Sequence, residues 1–266
     1  MKAAIAIISG IMTLSLVGQS ERTEQITVPL SNPDEPGILI VHHHKGSVNV
    51  IGYEGTSLVV TASLRYTAGA AAPVIDLGAA EKDNHVVLNA RPRHRTIDLE
   101  IMVPRRFSVR LKNDDSGTIR VQHLSGEIEV SNLNGDIHLI DVAGSALLDT
   151  VDGNITAQFT SVTPGMPMAL TSLEGNLDVT FPGDVNALVK MRADHGQLRN
   201  DFAPAPGLEP ASEDEASGAP WTYTRINDGG SEIRLRSFYG HLRIRRAEND
   251  RNASAAVTIP AGRSST

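Results

Sequence analysis

The chain has 266 residues, enough for one or two domains with a sizeable core. Its formal net charge of −7 argues against a nucleic-acid-binding protein, because such proteins carry a concentrated basic surface. Cysteine is absent, which excludes disulfides and thiolate sites, and aromatic residues make up only 4%, so the core must consist mainly of Ile, Val, Leu and Ala.

Residues 1–20 have the pattern of a secretory signal peptide. Lys2 provides the positive charge, residues 3–17 form an apolar run, and Gly18 and Ser20 are small residues of the kind that precede a cleavage site. We therefore predict an exported protein of the periplasm, cell envelope or extracellular space, with an uncleaved N-terminal anchor as the alternative. No other long apolar segment follows, so we expect no membrane span in the mature chain.

The rest of the chain predicts one domain of short strands at residues 37–246. β-Branched residues alternate with polar ones and are separated by turn glycines. Residues 68–84 predict one loop insertion, and residues 203–220, rich in Pro, Ala, Glu and Ser, predict a second. The polar residues 247–266 predict a flexible tail.

Glycine returns every nine residues in the middle of the chain, at Gly117, Gly126, Gly135, Gly144 and Gly153. Aliphatic residues occupy the second and fourth positions after each glycine, and the position between them is polar except at Leu147. A third apolar position, seven residues after the glycine, holds Leu124, Leu133, Val142 and Val151. The alternation predicts a strand of about five residues with one face inward, followed by a corner of about four. We expect the third position to be inward as well, after a bend.

We predict an all-β fold, a right-handed β-solenoid or β-helix-like stack of short strands with about nine residues per strand-corner unit. Two units would form one coil, and each coil would stack on the last. Glycine would allow the corner a positive φ or a close backbone approach. An antiparallel meander or sandwich is the alternative. The same pattern recurs after Gly46, Gly175 and Gly240, with a weaker copy after Gly196 and a copy in which Ser231 takes the place of glycine. The gaps from Gly153 to Gly175 and from Gly175 to Gly196 are 22 and 21 residues, which fit two units plus a short insertion.

The sequence offers two patterns that could bind a metal ion. The calcium nonapeptide requires paired glycines and a column of aspartates. Here the corresponding column holds Gln122, Ser131, Ile140, Asp149 and Gln158, so we predict no calcium site of this type. In the stretch His42-His43-His44, successive strand residues point to opposite faces, so only His42 and His44 could share a metal, with a further ligand from elsewhere. An exposed strand end is the preferred interpretation, and we predict no metal and no cofactor.

Arginines alternate with apolar residues near the C-terminus, and Arg234, Arg243 and Arg245 are candidates for a partner-binding outer face. Such a face could bind an anionic envelope polymer or a protein. The alternative is a solvated surface that protects edge strands from aggregation.

No motif of a known catalytic class occurs, so we predict a protein without enzymatic activity. A polysaccharide lyase or hydrolase is the alternative, since solenoid enzymes place carboxylates or basic side chains on an outer strand face. Outward positions here carry Glu127, Glu129, Asp136, His138 and Asp141.

Four phrases in order resemble the bacterial putative-adhesin family of β-strand-repeat proteins, DUF4097, a domain of unknown function. They are GSVNVIGYEG, IDLEIMVPRRFSVRLKNDDSGTIRV, SLEGNLDVTFPGDVNALVKMRADHGQLRNDF and SEIRLRSFYGHLRI, within residues 37–246. The resemblance implies an exported or envelope-associated β-solenoid and transfers no catalytic residues. We therefore expect a binding, adhesion or scaffold protein of the envelope or surface, with an accessory role in envelope-stress signalling as a further alternative.

Overall fold

The computed structural model describes residues 7–16, 19–91, 95–202 and 219–247, the first of these ranges by its backbone alone. These residues form twenty β-strands and no helix, which confirms the predicted all-β class. The strands are β1 (Ile7–Leu16), β2 (Gln19–Pro29), β3 (Ile38–Lys45), β4 (Val48–Tyr53), β5 (Ser57–Thr67), β6 (Asp76–Lys82), β7 (His85–Arg91), β8 (Asp98–Pro104), β9 (Ser108–Ser116), β10 (Ile119–Gln122), β11 (Ser125–Asn134), β12 (Ile137–Asp152), β13 (Ile155–Val162), β14 (Met168–Glu174), β15 (Leu177–Phe181), β16 (Ala187–Ala193), β17 (Leu198–Asn200), β18 (Thr222–Ile226), β19 (Ser231–Ser237) and β20 (Leu242–Arg246).

The backbone pairings arrange these strands in two columns. Column A runs in the spatial order β6, β7, β3, β9, β11, the second half of β12, β14, β19, β16 and β18. Column B runs in the order β1, β2, β5, β8, β4, β10, the first half of β12, β13, β15, β20 and β17. Strand β12 spans sixteen residues and contributes to both columns.

Pairing in the glycine repeat is parallel and connects residues eighteen positions apart. Ile119 pairs with Ile137, and Ile137 pairs with Ile155. Two nine-residue units therefore separate neighbours within a column. The next step is longer, because Ile155 pairs with Leu177, 22 residues on, after a short insertion at residues 163–167.

The repeated glycines lie where successive backbones approach too closely for a side chain. A Cβ on Gly135 would lie 2.4 Å from the carbonyl oxygen of Gly117, and φ at Gly135 is +128°. A Cβ on Gly144 would lie 2.1 Å from the carbonyl oxygen of Gly126. The repeated glycines therefore form two ladders at different corners, one of Gly117, Gly135 and Gly153 and one of Gly126 and Gly144. Each ladder has a step of eighteen residues, and the two alternate along the chain to give the nine-residue spacing.

A ladder of side-chain hydrogen bonds runs along the corner that contains Gly135, Gly153 and Gly175, and it is formed by the residue after each of these glycines. Asp136 Oδ1 accepts hydrogen bonds from the backbone N–H (2.7 Å) and Nδ2 (3.1 Å) of Asn154. Asn154 Oδ1 in turn accepts from the backbone N–H (2.9 Å) and Nδ2 (3.2 Å) of Asn176. Each side chain therefore satisfies a corner N–H that the strand ladders leave unpaired.

We expect Asn154→Ala to lower the free energy of unfolding by about 1 kcal/mol, because it removes side-chain bonds on both sides of one corner. Urea unfolding followed by circular dichroism measures this change. Gln158→Ala, at an exposed position of β13, is the matched control and should leave stability within about 0.5 kcal/mol of the wild type. Equal stability of the two variants would contradict a structural role for the corner ladder.

The inward side chains of both columns form one hydrophobic core. Every second residue of the repeat strands is buried, and the Phe159 and Phe181 rings stack with centroids 5.5 Å apart. The outward side chains of each column therefore point away from this shared core.

At the third apolar position of the repeat, the prediction of an inward side chain is confirmed for two of the four residues and wrong for the other two. Leu124 and Val142 are buried, but Leu133 and Val151 are 43% and 38% exposed. The preceding bends explain the difference, because His123 and Asp141 have positive φ and reset the alternation before Leu124 and Val142. Leu133 and Val151 stay within regular strands and therefore fall on the outward face.

The predicted stacking of each coil on the last is wrong at both ends of the columns. Strands β3 and β4 lie between β7–β8 and β9–β10, and β19 and β20 lie between β14–β15 and β16–β17. Antiparallel pairs also extend both columns, such as β2 with β5 and β16 with β18. Pairing requires a matched register and not neighbouring sequence. Strands β19 and β20 keep one register with β14 and β15, because Ser237 pairs with Ser172 and Leu242 with Leu177.

The predicted limits of the domain also need correction. Strands β1 and β2 precede residue 37 and pair with each other, and β2 pairs along its length with β5. The predicted loop insertion at 68–84 is irregular only in part, because Asp76–Lys82 forms β6 and pairs with β7. This hairpin forms because Asp83 and Asn84 adopt the positive φ that a tight turn requires.

Other predicted segments lie wholly or largely outside the described residues. Of the predicted leader 1–20, the structure describes residues 7–16, 19 and 20, and its cleavage stays a prediction. Only residues 219 and 220 of the predicted insertion 203–220, and only residue 247 of the predicted tail 247–266, are described. No helix among the described residues is long and apolar enough to offer a membrane-spanning segment.

Candidate binding groove

The outward face of column A presents two rows of side chains that run across its parallel strands. Cα pairing places the first row in the order Ile40, Arg110, Glu129, Leu147, Ala169, Arg234 and Lys190. The second row follows the order His42, Lys112, Ser131, Asp149, Thr171, Arg236 and Arg192.

A groove of about 450 Å³ lies over the middle of these rows. Leu147 and Ala169 give it an apolar surface, and Leu147 is 44% exposed although it is a large aliphatic residue. A smaller cavity of about 80 Å³ continues past Arg110 and Leu147 towards Met166. A concave, largely apolar surface with a few polar groups is the usual form of a ligand site.

Both positively and negatively charged side chains line the groove. Arg110 Nε lies 2.6 Å from Glu129 Oε2, and Lys112 Nζ lies 3.0 Å from Asp114 Oδ1. Partial burial raises the pKa of Asp149, which has no cation opposite it in the row. The groove therefore combines an ion-paired carboxylate with one that holds its proton more tightly.

A basic cluster adjoins the C-terminal side of the groove, where Arg234 pairs in register with Ala169. Lys190 Nζ lies 4.8 Å from the ring centre of Trp221, and the guanidinium of Arg234 lies 5.8 Å from it. Asp194 accepts from Arg236 Nε at 2.9 Å and also pairs with Arg192. Arg234 remains 54% exposed at its side chain, so the cluster presents positive charge next to the groove.

The structure does not bring the three arginines of the predicted face together. Arg234 lies on column A, whereas Arg243 and Arg245 lie on column B, where Arg245 forms an ion pair with Asp178. The nine-residue step from Arg234 to Arg243 passes the corner at Gly240, so the two arginines lie on different columns although both follow the same alternation.

The histidine stretch also separates. His42 is exposed and lines the groove, His43 is buried with 5% exposure, and His44 is half-buried. Within the described part of the chain, no three His, Asp or Glu side chains lie close enough to hold a metal ion.

His43 occupies an inward position that holds polar residues along column A. Asn113 and Asn132 occupy the same position on the next two strands, and Asn132 Nδ2 donates to the carbonyl oxygens of Gly117 (2.9 Å) and Gly135 (2.8 Å). Burial lowers the pKa of His43. His43 therefore takes up its proton at a lower pH in the folded chain than in the unfolded chain.

We expect the free energy of unfolding to fall as the pH decreases below about 6.5, because the unfolded state then binds more protons. His43→Asn, which introduces the residue of the next two positions, should flatten this dependence. Urea unfolding at several pH values measures it, and His85→Gln, at an exposed histidine, should keep the wild-type slope. Identical slopes in wild type and His43→Asn would contradict the prediction.

Most of the groove residues are not indicated by the sequence pattern. The pattern indicates Glu129 as an outward carboxylate and His42 as a metal candidate, whereas Arg110 and Lys112 carry no signal and Asp149 occurs only in the rejected calcium column. Leu147 is the apolar exception in a polar column of the repeat, and it forms the floor of the groove. The single tryptophan, Trp221, was a second available signal.

No protein-family model matches the sequence, and no curated protein matches it. A solved structure of a putative cell adhesion protein from Clostridium sporogenes shares 12% identity with a TM-score of 0.42, over 85% of this chain and 100% of that one. A putative adhesin from Bacteroides fragilis shares 12% identity with a TM-score of 0.29, over 85% and 97%. At these values the similarity assigns no function to the chain, and the family resemblance stays a prediction.

Proposed function

We propose that the protein is an exported, non-enzymatic protein of the cell envelope or surface that binds an acidic polysaccharide through column A. The groove that contains Leu147, beside the basic cluster at Arg234, is the observation that carries this proposal. Export rests on the leader pattern of residues 1–20, and membership in the putative-adhesin family of DUF4097 rests on the sequence phrases at 37–246.

The fold proposed for this binding surface is a right-handed β-solenoid with two nine-residue units per coil. Its support is the eighteen-residue parallel register and the two glycine ladders. From β11 to the second half of β12, the chain crosses column B and returns to pair in parallel. Connections of this kind between parallel strands are right-handed in nearly all proteins.

A polysaccharide fits the chemistry of the groove. Sugar rings have apolar C–H faces, which would pack on Leu147 and Ala169. Their hydroxyls are donors and acceptors, which suit the side chains of Asp149, Thr171 and Lys112. The groove opens along the strand-stacking direction, from His42 to Thr171, so it can hold a segment of an extended polymer.

The acidic character of the ligand follows from the charges beside the groove. Arg234 is exposed, lies next to Ala169 and pairs only at 4.0 Å with Glu232. Carboxylate groups on a bound polymer would reach this guanidinium once a sugar ring occupies the floor. Arginine forms bidentate bonds with carboxylates, which gives both energy and orientation.

Binding of an acidic polysaccharide to Leu147→Glu and Arg234→Glu tests the proposal. Each variant should weaken binding by roughly tenfold or more, equivalent to about 1.4 kcal/mol. Arg120→Glu, an exposed arginine of column B, is the matched charge-reversal control and should bind as the wild type does. Titration calorimetry with polygalacturonate and a pull-down from native envelope provide the two measurements. Wild-type affinity in both column A variants would exclude the groove as the binding site.

A polysaccharide lyase or hydrolase is the second candidate, and one observation favours it. Glu129 and Asp149 line the same groove, the first paired with Arg110 and the second with a raised pKa. A pair of carboxylates in one groove, one of them with a raised pKa, is the usual acid and base of glycan cleavage. Release of new reducing ends by the wild type, abolished in Asp149→Asn, would support this candidate. Bound polymer of unchanged length after prolonged incubation would eliminate it.

A further inference from the structure

A second cavity, of about 290 Å³, lies on the outward face of column B at its C-terminal end. Strands β15, β20 and β17 pair side by side there. The polar residues that line the cavity are Asn176, Asp178, Gln197, Arg199, His241 and Arg243. This cavity does not belong to the column A groove, because its strands and its outward side chains are those of the other column.

Two arginines lie next to each other in this cavity. Arg199 and Arg243 are Cα partners on β17 and β20, and neither forms an ion pair with a carboxylate among the described residues. Arg243 Nε is buried and has no hydrogen-bond partner in that part of the chain. Adjacent like charges on paired strands repel each other, so the arrangement favours a bound anion between them.

The one carboxylate of the cavity is already neutralised. Asp178 pairs in register with Arg243, but its Oδ2 accepts a hydrogen bond from Arg245. Because the charge of Asp178 is balanced by Arg245, the positive charges of Arg199 and Arg243 remain, and the cavity keeps a net positive charge.

The corner residues add neutral donors. His241 Nδ1 accepts a hydrogen bond from the backbone N–H of Gln197 at 3.0 Å. A neutral imidazole that accepts at Nδ1 carries its hydrogen on Nε2, so His241 offers a further N–H. The amide of Gln197 supplies another donor at the same wall. Guanidinium, imidazole and amide N–H groups together form a donor set that is suited to oxygen anions.

We infer that this cavity of column B is a binding site for a compact tetrahedral oxyanion, a phosphate or sulfate group. Arg199 and Arg243 bind its charged oxygens from two adjacent strands, and His241 and Gln197 donate to the remaining ones. Such an anion is either a free ion or a phosphate group attached to a small molecule. The site is independent of the polysaccharide groove, so either proposal can fail without the other.

Titration calorimetry of the full chain with inorganic phosphate tests the site. Wild type should bind with one-to-one stoichiometry at millimolar phosphate or below. Arg199→Gln and Arg243→Gln should each weaken binding roughly tenfold or more, because each removes charge-assisted hydrogen bonds. Arg120→Gln, on the same outward face but outside the cavity, is the control and should bind as the wild type does. Thermal unfolding without ligand checks that all three variants are folded.

Two further arms distinguish the source of the anion. Glycerol 1-phosphate that binds more tightly than inorganic phosphate, with the same loss in both variants, supports a phosphate group on a small molecule. Equal binding of both supports the free ion. Three results would overturn the site: no binding of either phosphate, equal binding in wild type and both cavity variants, or binding only to phosphatidylglycerol vesicles.

Discussion

Gly135→Ala should lower the free energy of unfolding by about 3 kcal/mol, at the upper end of the common range for single substitutions. The new methyl group would lie 2.4 Å from the carbonyl oxygen of Gly117, and this contact involves backbone on both sides. The positive φ of Gly135 adds strain for any residue with a Cβ. Neither the oxygen nor the glycine can move without breaking the parallel register of the neighbouring strands.

Gly78→Ala is the matched control for this substitution. Nothing lies within 4 Å of a Cβ at Gly78, and its φ is not in the left-handed region. Stability should therefore stay within about 0.5 kcal/mol of the wild type. Urea unfolding measures both variants. A loss at Gly135 no greater than that at Gly78 would show that the repeated glycines are not required for close stacking.

Phe181→Ala should cost about 3–5 kcal/mol, because it removes a large aromatic ring from the core and leaves a cavity. Phe181 has no exposed surface, and its ring stacks on Phe159 at 5.5 Å. Its strand, β15, lies between β13 and β20, so the narrow interior can collapse only by shifting paired strands. The few aromatic residues of this chain make each buried ring a large share of the core.

Tyr239→Ala removes an aromatic ring of similar size at a position that is 60% exposed. It should change stability by less than about 1 kcal/mol. Comparable losses at Phe181 and Tyr239 would contradict a single core between the two columns.

The glycine repeat allowed much of the fold to be predicted because its pattern encodes both strands and corners. Alternation at Ile137 and Leu139 correctly indicates inward residues of a strand, and the spacing of Gly117 and Gly135 equals the step of the parallel register. Close approach of Gly135 to Gly117 confirms the reason given for glycine at these corners. The handedness and the solenoid class remain proposals.

The order of the strands could not be predicted, because the repeat specifies lengths and not partners. Gly175, Gly196 and Gly240 introduce similar phrases, and any of them could stack on any other. In the structure a Cβ on Gly240 would contact Gly175, and one on Gly196 would contact Gly240. The last segment is therefore inserted between two earlier ones, through long-range pairing that local sequence does not specify.

The candidate site was the least predictable part. Its members lie on strands that are distant in sequence, such as Lys112 on β9 and Thr171 on β14, and only the register places them in one groove. The three arginines of the predicted face lie on two columns for the same reason. The same alternation at Arg234 and Arg243 indicates that both side chains point outward. The corner between them places the two arginines on different columns, which the alternation does not indicate.

The groove of column A is tested most directly by mapping an acidic oligosaccharide onto the chain. Backbone amide shifts in a two-dimensional NMR titration report each strand separately. The groove predicts shifts that saturate together at Glu129, Leu147, Asp149 and Ala169, with the column B residues His138 and Thr156 unchanged. Saturable shifts confined to column B, or none on either column, would contradict it.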